Sequence, residues 1–185
     1  MKNLKWFARP DKFKNRLIMV ILGVLIQGFG LSWIIEVSFG TDPCSAFTQG
    51  VISHVPLSFG TAQLLINIIL FVVVFLADTS LIGFGTIANM VFIGYISDFC
   101  RFIYSKTLPA ELFQNTTTRI IILIPALIVF ILGAAMYMTA GLGTSPYDAI
   151  AFIVSERAEN IPFKFIRMSW DIIFLLLGWI MGGNI

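Results

Sequence analysis

Long apolar runs alternate with short polar stretches along the chain, and five of these runs approach the about 20 residues that a helix needs to cross a membrane. These runs cover residues 17–38, 58–77, 81–103, 120–140 and 163–181. Two shorter segments, 43–55 and 146–154, lie between them. As helices they would reach only about 14 to 20 Å, less than the roughly 30 Å hydrocarbon core. The pattern predicts an all-α, polytopic transmembrane helical bundle with two short broken or re-entrant helices.

Composition supports a membrane location. The chain is 58% hydrophobic and 12% charged, whereas a soluble domain carries about 25% charged residues. Of its 12 lysines and arginines, half precede residue 17. Because basic residues favour the cytoplasmic side, residues 1–16 are predicted to be a cytoplasmic N-terminus. The basic cluster is followed at once by an apolar run, so we predict the lipid bilayer as its partner and no nucleic-acid binding.

Charge counting bears on the number of crossings. If the short segments do not cross, five spans result, with nine basic residues on the cytoplasmic side and Arg101, Lys106 and Arg119 outside. If both cross, seven spans result and all 12 basic residues are cytoplasmic. The positive-inside rule favours seven. That topology predicts a cytoplasmic linker at 105–119 and an ion pair between Asp98 and Arg101 at the cytoplasmic end of their span.

An internal repeat is visible at an offset of 103 positions, where residues 30–47 match residues 133–150. Further on, "INIILF" aligns with "WDIIFL" and pairs Asn67 with Asp171. The matches predict two transmembrane repeats, 17–104 and 120–185. Seven crossings would make the repeats parallel, and five would make them inverted. The second repeat stops where the fourth span of the first would align, which suggests a shortened chain or a place filled by another chain.

Three stretches carry a family resemblance: "GLGTSPYDAIAF", "FGTDPCSAF" and "IGFGTIANMVFIGYISDF". They resemble the YczE/YitT-like bacterial integral membrane proteins, with greater likeness to the YczE branch. The resemblance implies a multi-pass protein of the bacterial plasma membrane and, in some members, an association with secondary-metabolite production. It implies no substrate or mechanism. The first repeat departs from the family pattern at Cys44-Ser45, where the second has an aromatic residue and an acid.

Both repeats contain a helix-start signal, Thr41-Asp42-Pro43 in the first and Thr144-Ser145-Pro146 in the second. An aspartate or serine before proline is typical of a helix N-terminus, because the side chain accepts from free N–H groups. Two such N-termini at membrane depth would form a site for a carboxylate or phosphate. The alternative is that each signal only starts a short helix after a tight loop. Asp42 and Asp148 could instead bind a cation.

Polar residues at mid-span are the other candidates. An intramembrane carboxylate such as Asp171 marks a binding site, a proton relay or a buried ion pair. Arg167, four residues earlier, offers an intrahelical partner for that carboxylate. Gln27, Asn67 and Asn89 are suited to hydrogen bonds between helices.

These observations favour a transporter or small-molecule-binding membrane protein with a midplane site between the repeats. The alternatives are a non-transporting scaffold or regulator acting through a partner, and the substrate-capture subunit of a larger transporter. The small molecule is unidentified, with an anion among the options, and a homo-oligomer or a partner membrane protein also stays open. No nucleophile, metal-ligand or nucleotide motif is legible, so we expect no enzyme activity, metal or cofactor. The predicted substrate-binding residues are Thr41, Asp42, Cys44, Asn67, Thr144, Ser145, Tyr147, Asp148 and Asp171.

Overall fold

A computed structural model describes residues 10–158 and 160–183, and every regular element in those ranges is helical. The α-helices are α1 (Phe13–Val37), α2 (Pro43–Ile52), α3 (Phe59–Ala77), α4 (Phe84–Thr107), α5 (Thr116–Thr139), α6 (Pro146–Arg157) and α7 (Phe163–Ile180). Each lies within four residues of the predicted bounds at both ends. The all-α prediction is confirmed. The basic residues Lys2, Lys5 and Arg9 lie outside the described ranges.

Four helices, α1, α3, α4 and α5, are long and apolar enough to cross a membrane. Their outer faces remain apolar; in α5 only 17% of the most apolar window is buried inside the protein. Such faces suit lipid contact. Helix α7 has 18 residues and is not among the four, since it carries Lys164, Arg167 and Asp171.

The central contact of the bundle joins α1 and α5, which run antiparallel. Gly23 faces Tyr137 and Gly133, and Gly30 faces Phe130. A Cβ atom placed on Gly133 would lie 2.7 Å from the carbonyl oxygen of Gly23, so the two backbones touch. Small residues permit this close approach between membrane helices.

Contacts at the helix termini define two ends of the bundle. The first end holds the start of α1 and the end of α5, where Arg16 Nη1 donates to the carbonyl of Ala140 at 3.0 Å. The start of α4 lies there too, because Phe84 packs edge-on against Phe13 with ring centroids 5.1 Å apart. The second end holds the ends of α1 and α4, where Glu36 forms its ion pair with α4.

The short helix α2 does not cross the bundle. α1 ends at the second end, and α3 begins there too, since the Gly60 N–H at its first turn donates to Asp98 Oδ2 of α4 at 2.8 Å. The chain therefore enters and leaves at the same end, and α2 is re-entrant. The favoured prediction that this segment completes a crossing is wrong. It was based on the distribution of basic residues, which contains no information about which helix ends pack together.

Helix α6 has the corresponding arrangement at the first end. α5 ends at the first end, and α7 must begin there, because α7 ends beside the terminus of α2, where Ser53 Oγ donates to the Met181 carbonyl at 2.8 Å. From its start, α6 runs back to the first end, where Ile153 packs with Val74 and Ile82. In the described residues, therefore, neither short helix runs from one end of the bundle to the other, and only the five long helices do so, which does not fit the favoured seven crossings.

The predicted ion pair between Asp98 and Arg101 is wrong, and the helix ends do not fit a location of residues 10–16 and 105–119 on the same side of the membrane. Asp98 and Arg101 do not pair: Arg101 Nε donates to Glu36 Oε1 at 2.9 Å, whereas Asp98 accepts from Gly60. The segment 105–119 lies at the opposite end from residues 10–16, because Arg119 Nε and Nη2 donate to the Val37 and Ser38 carbonyls at 2.6 and 2.8 Å.

Candidate functional site

The start of α2 is set by three neighbouring residues, Gly40, Asp42 and Pro43. Asp42 is the N-cap, and its Oδ2 accepts from the Ser45 N–H at 3.1 Å. Pro43 occupies the first helical turn, where its missing N–H costs no hydrogen bond. Gly40, with φ 95°, allows the chain to turn inward before the cap.

The start of α6 uses serine in the same role. Ser145 Oγ accepts from the Asp148 N–H at 3.1 Å and donates to Asp148 Oδ2 at 2.7 Å. The Ser145 N–H donates to the Tyr137 hydroxyl of α5 at 2.9 Å. The two re-entrant helices thus begin with related but exchanged polar groups: aspartate then serine in α2, serine then aspartate in α6.

The non-helical backbone before α6 forms hydrogen bonds with residues at the start of α4 and just before it. The Gly85 N–H donates to the Leu142 carbonyl at 2.7 Å, and the Thr144 N–H donates to the Leu81 carbonyl at 3.1 Å. Gly143 has φ 103° and lies against Gly83 with no room for a Cβ atom. Non-helical backbone at membrane depth requires such partners, which explains the glycines on both sides of the contact.

The N-termini of α2 and α6 face one cavity of about 200 Å³. Six of the nine predicted site residues line this cavity: Asp42, Cys44, Asn67, Ser145, Tyr147 and Asp148. The other three, Thr41, Thr144 and Asp171, lie outside its lining. Thr41 Oγ1 instead accepts from Gln49 Nε2 at 3.3 Å. The tertiary structure thus brings residues from both sequence halves to a single place.

Arg167 joins the two carboxylates on the α6 and α7 side of the cavity. Its Nη1 donates to Asp148 Oδ1, and its Nε donates to Asp171 Oδ2 at 3.2 Å. The other oxygen of Asp171 accepts from the Tyr147 hydroxyl at 2.6 Å. The guanidinium also lies 4.9 Å from the Tyr147 ring centroid, a cation–π distance. Asp171 therefore holds in place two residues that line the cavity, Arg167 and Tyr147, without lining it itself.

Aromatic packing holds this cluster in place. The ring of Phe174 lies edge-on to Phe47 of α2 and Tyr147 of α6, at centroid distances of 5.3 and 4.9 Å. Trp170 Nε1 donates to the Tyr147 carbonyl at 3.1 Å. Since Phe174 touches both re-entrant helices, α7 couples the positions of their N-termini.

Three polar lining residues were missed by sequence reasoning: Ser45, Gln63 and Tyr137. Gln63 is four residues before Asn67, hence on the same helix face, and its backbone carbonyl accepts from Asn67 Nδ2 at 3.0 Å. That spacing could have revealed it. Gln27 and Asn89, which were expected to bridge helices, also line the cavity.

Comparison with known proteins supplies the family. A family model described as a family of unknown function, DUF6198, matches residues 14–184. The chain belongs to this family. It is 30% identical over 165 residues to the uncharacterized membrane protein YczE of Bacillus subtilis, covering 88% of this chain and 73% of YczE. The predicted likeness to YczE is confirmed.

Two further relatives in the comparison are also uncharacterized. The Bacillus subtilis protein YyaS is 26% identical, with 89% of this chain and 80% of YyaS aligned. A Haemophilus influenzae protein is 24% identical, with 89% of this chain and 72% of that protein aligned. No solved structure matches the chain. The family therefore supports a membrane protein, and the cavity geometry must carry any finer functional argument.

In the part of the chain that the structure describes, side chains are not grouped as ligands for a transition metal. No group of three or more His, Cys, Asp or Glu side chains occurs there in positions to share an ion. Cys44 and Cys100 are both free thiols. The polar groups that do converge are hydroxyls, amides, carboxylates and one guanidinium, which suit hydrogen-bonded or ionic recognition of a small solute.

Proposed function

We propose that this protein is a membrane transporter for a small polar solute, which binds between the N-termini of α2 and α6. One observation carries the proposal: two short helices enter from opposite ends of the bundle and face the same polar cavity. Broken or re-entrant helices in corresponding positions of two halves are a recurrent feature of transporter binding sites.

Helix pairing supports two inverted halves, α1–α3 and α5–α7. The packing is exchanged: α2 contacts α7, and α6 contacts α3. Each short helix thus packs on the third helix of the other half, and α1 and α5 meet antiparallel at the centre. The sequence match at an offset of 103 positions relates α1 and α2 to α5 and α6, and the pairing of Asn67 with Asp171, at an offset of 104, relates α3 to α7. An inverted pair of this kind can alternate between two arrangements that open the cavity to opposite sides.

The orientation follows from the basic residues. Of the lysines and arginines that the structure describes, five lie at the first end, Lys12, Lys14, Arg16, Arg157 and Lys164, and three at the second, Arg101, Lys106 and Arg119, while Arg167 lines the cavity. This excess favours a cytoplasmic first end and an outer second end by the positive-inside rule. We propose a bacterial plasma membrane location with a cytoplasmic N-terminus.

The size and charge of the cavity narrow the class of solute that fits it. At about 200 Å³ the cavity is smaller than the 300–1,000 Å³ of drug-sized ligand sites. Asp42, Asp148 and Arg167 line the cavity, and Asp171 pairs with Arg167 from just outside the lining, so that the four charged groups carry a formal charge of −2. Two helix N-termini together contribute roughly one positive charge. This balance favours a small neutral or cationic solute over an anion.

Thiol accessibility tests the proposal without knowledge of the solute. Cys44 lines the cavity and is 7% exposed. In a Cys100→Ser background, a membrane-impermeant maleimide is applied to intact cells and to inside-out vesicles. We expect Cys44 to react in both preparations, because an alternating cavity opens to each side in turn. Single cysteines at Lys14 and Lys106 report the sidedness of each preparation, and Cys44→Ser gives the background.

The alternatives give different results. Protection of Cys44 in both preparations indicates a sealed bundle and favours a scaffold or regulator that acts through a partner. Reaction from the outside alone favours a substrate-capture subunit, which binds solute without moving it across the membrane.

A further inference from the structure

The two halves of the cavity differ in how their carboxylates are neutralised. On the α6 and α7 side, both oxygens of Asp148 and of Asp171 accept hydrogen bonds, and Arg167 supplies the positive charge. The alignment that pairs Asn67 with Asp171 places Gln63 opposite Arg167. A neutral amide therefore stands in α3 where α7 has a cation.

On the α2 side, three polar oxygens of the cavity lining are buried without a hydrogen-bond partner. These atoms are Asp42 Oδ1, Ser45 Oγ and Gln27 Oε1. The Gln27 and Ser45 residues are 9% and 1% exposed. A buried oxygen that has lost water without gaining a partner is costly, and more so when it is ionised. The arrangement therefore suits a ligand that carries positive charge or hydrogen-bond donors.

We propose that a sodium-sized monovalent cation binds at the start of α2, coordinated by Asp42 Oδ1, Ser45 Oγ and Gln27 Oε1. Carboxylate, hydroxyl and amide oxygens are ligands for hard cations. One carboxylate matches one positive charge, whereas calcium sites use six to eight oxygens and usually several acids. Asp42 has two roles in this arrangement. Its Oδ1 coordinates the cation, and its Oδ2 accepts from the Ser45 N–H and so caps α2.

The cation takes the place in one half that Arg167 holds in the other. This role rests on the proposed function, because a cation bound beside the solute cavity would be the ion whose gradient drives transport. The binding site itself is tested independently of transport.

The test uses the whole 185-residue chain in lipid nanodiscs. Thermal unfolding is followed while sodium chloride replaces choline chloride at constant ionic strength, and binding of radioactive sodium is measured on the same samples. A ligand that binds only the folded state raises the unfolding temperature by mass action, by about 5 to 10 °C when sodium is about 100-fold above its Kd. We expect a saturable rise of this kind in the unaltered protein.

Asp42→Asn is the decisive variant. Asparagine keeps the N-cap hydrogen bond but removes the charge, so the fold is retained and the apparent Kd for sodium should rise at least about tenfold. Ser45→Ala should weaken sodium binding with the cap intact. The matched control is Glu36→Gln, which removes a carboxylate that pairs with Arg101 far from the cavity and should leave the sodium response unchanged.

The inference is overturned if sodium and choline give the same unfolding temperature, or if Asp42→Asn responds to sodium as the unaltered protein does. An equal loss in Glu36→Gln would overturn it as well, since the effect would then be one of net charge. Failure of the transport proposal looks different: Cys44 would react from one side or neither while sodium binding persisted.

Discussion

Replacing Arg167 by glutamine removes the guanidinium that bridges Asp148 and Asp171 while leaving a side chain of similar length. The three side chains are partly buried, with Arg167 31% exposed and the aspartates 19% and 28% exposed. Exposed ion pairs contribute about 0.2 to 1 kcal/mol, and loss of one partner from a fully buried pair costs about 3 to 5 kcal/mol. Intermediate burial places the cost of Arg167→Gln at about 2 kcal/mol.

In a chain of this size, that loss should lower the unfolding temperature by roughly 4 to 8 °C. Tryptophan fluorescence in nanodiscs is a suitable assay, because Trp170 donates to the Tyr147 carbonyl beside the cluster. The cause of the loss is two carboxylates left without a cation. The triple variant Arg167→Gln, Asp148→Asn, Asp171→Asn should therefore regain at least half of the lost stability.

Two results would refute this reasoning. An unfolding temperature for Arg167→Gln within about 1 °C of the unaltered protein would mean that water already compensates the aspartates. A triple variant less stable than the single variant would mean that Arg167 stabilises the protein through packing on Tyr147 rather than through charge.

Two further perturbations test the fold. Gly133→Leu places side-chain atoms where α1 and α5 touch. We expect it to lower the free energy of unfolding by at least about 1 to 3 kcal/mol and to give less monodisperse protein by size exclusion. The control is Ala135→Leu on the exposed face of the same helix, which should match the unaltered protein in both measurements. Arg119→Gln removes two hydrogen bonds to the last carbonyls of α1 and should cost about 1 kcal/mol. Thermal unfolding measures that loss, and a result equal to that of Lys106→Gln would contradict the capping role.

The sequence by itself determined the helices and their starts. Apolar runs and proline boxes are local signals: a run of about 20 apolar residues must bury its backbone hydrogen bonds in a helix, and a cap bonds within one turn. The predicted bounds therefore agree with α1–α7, and Asp42 and Ser145 cap α2 and α6 as expected. Six predicted residues also line the cavity, because a polar group at membrane depth has few places other than a shared interior.

Only the tertiary structure decided the path of the short helices and the partners of the charges. A segment of ten or twelve residues can return or cross with the same local pattern, and the choice depends on contacts between distant residues. Glu36 and Arg101 are 65 positions apart, yet their ion pair shows that α1 and α4 end together. The same holds for Arg167, whose local partner is Asp171 but whose second carboxylate, Asp148, comes from another helix. The sequence supplies the charged groups, and packing of α6 against α7 brings them within bonding distance.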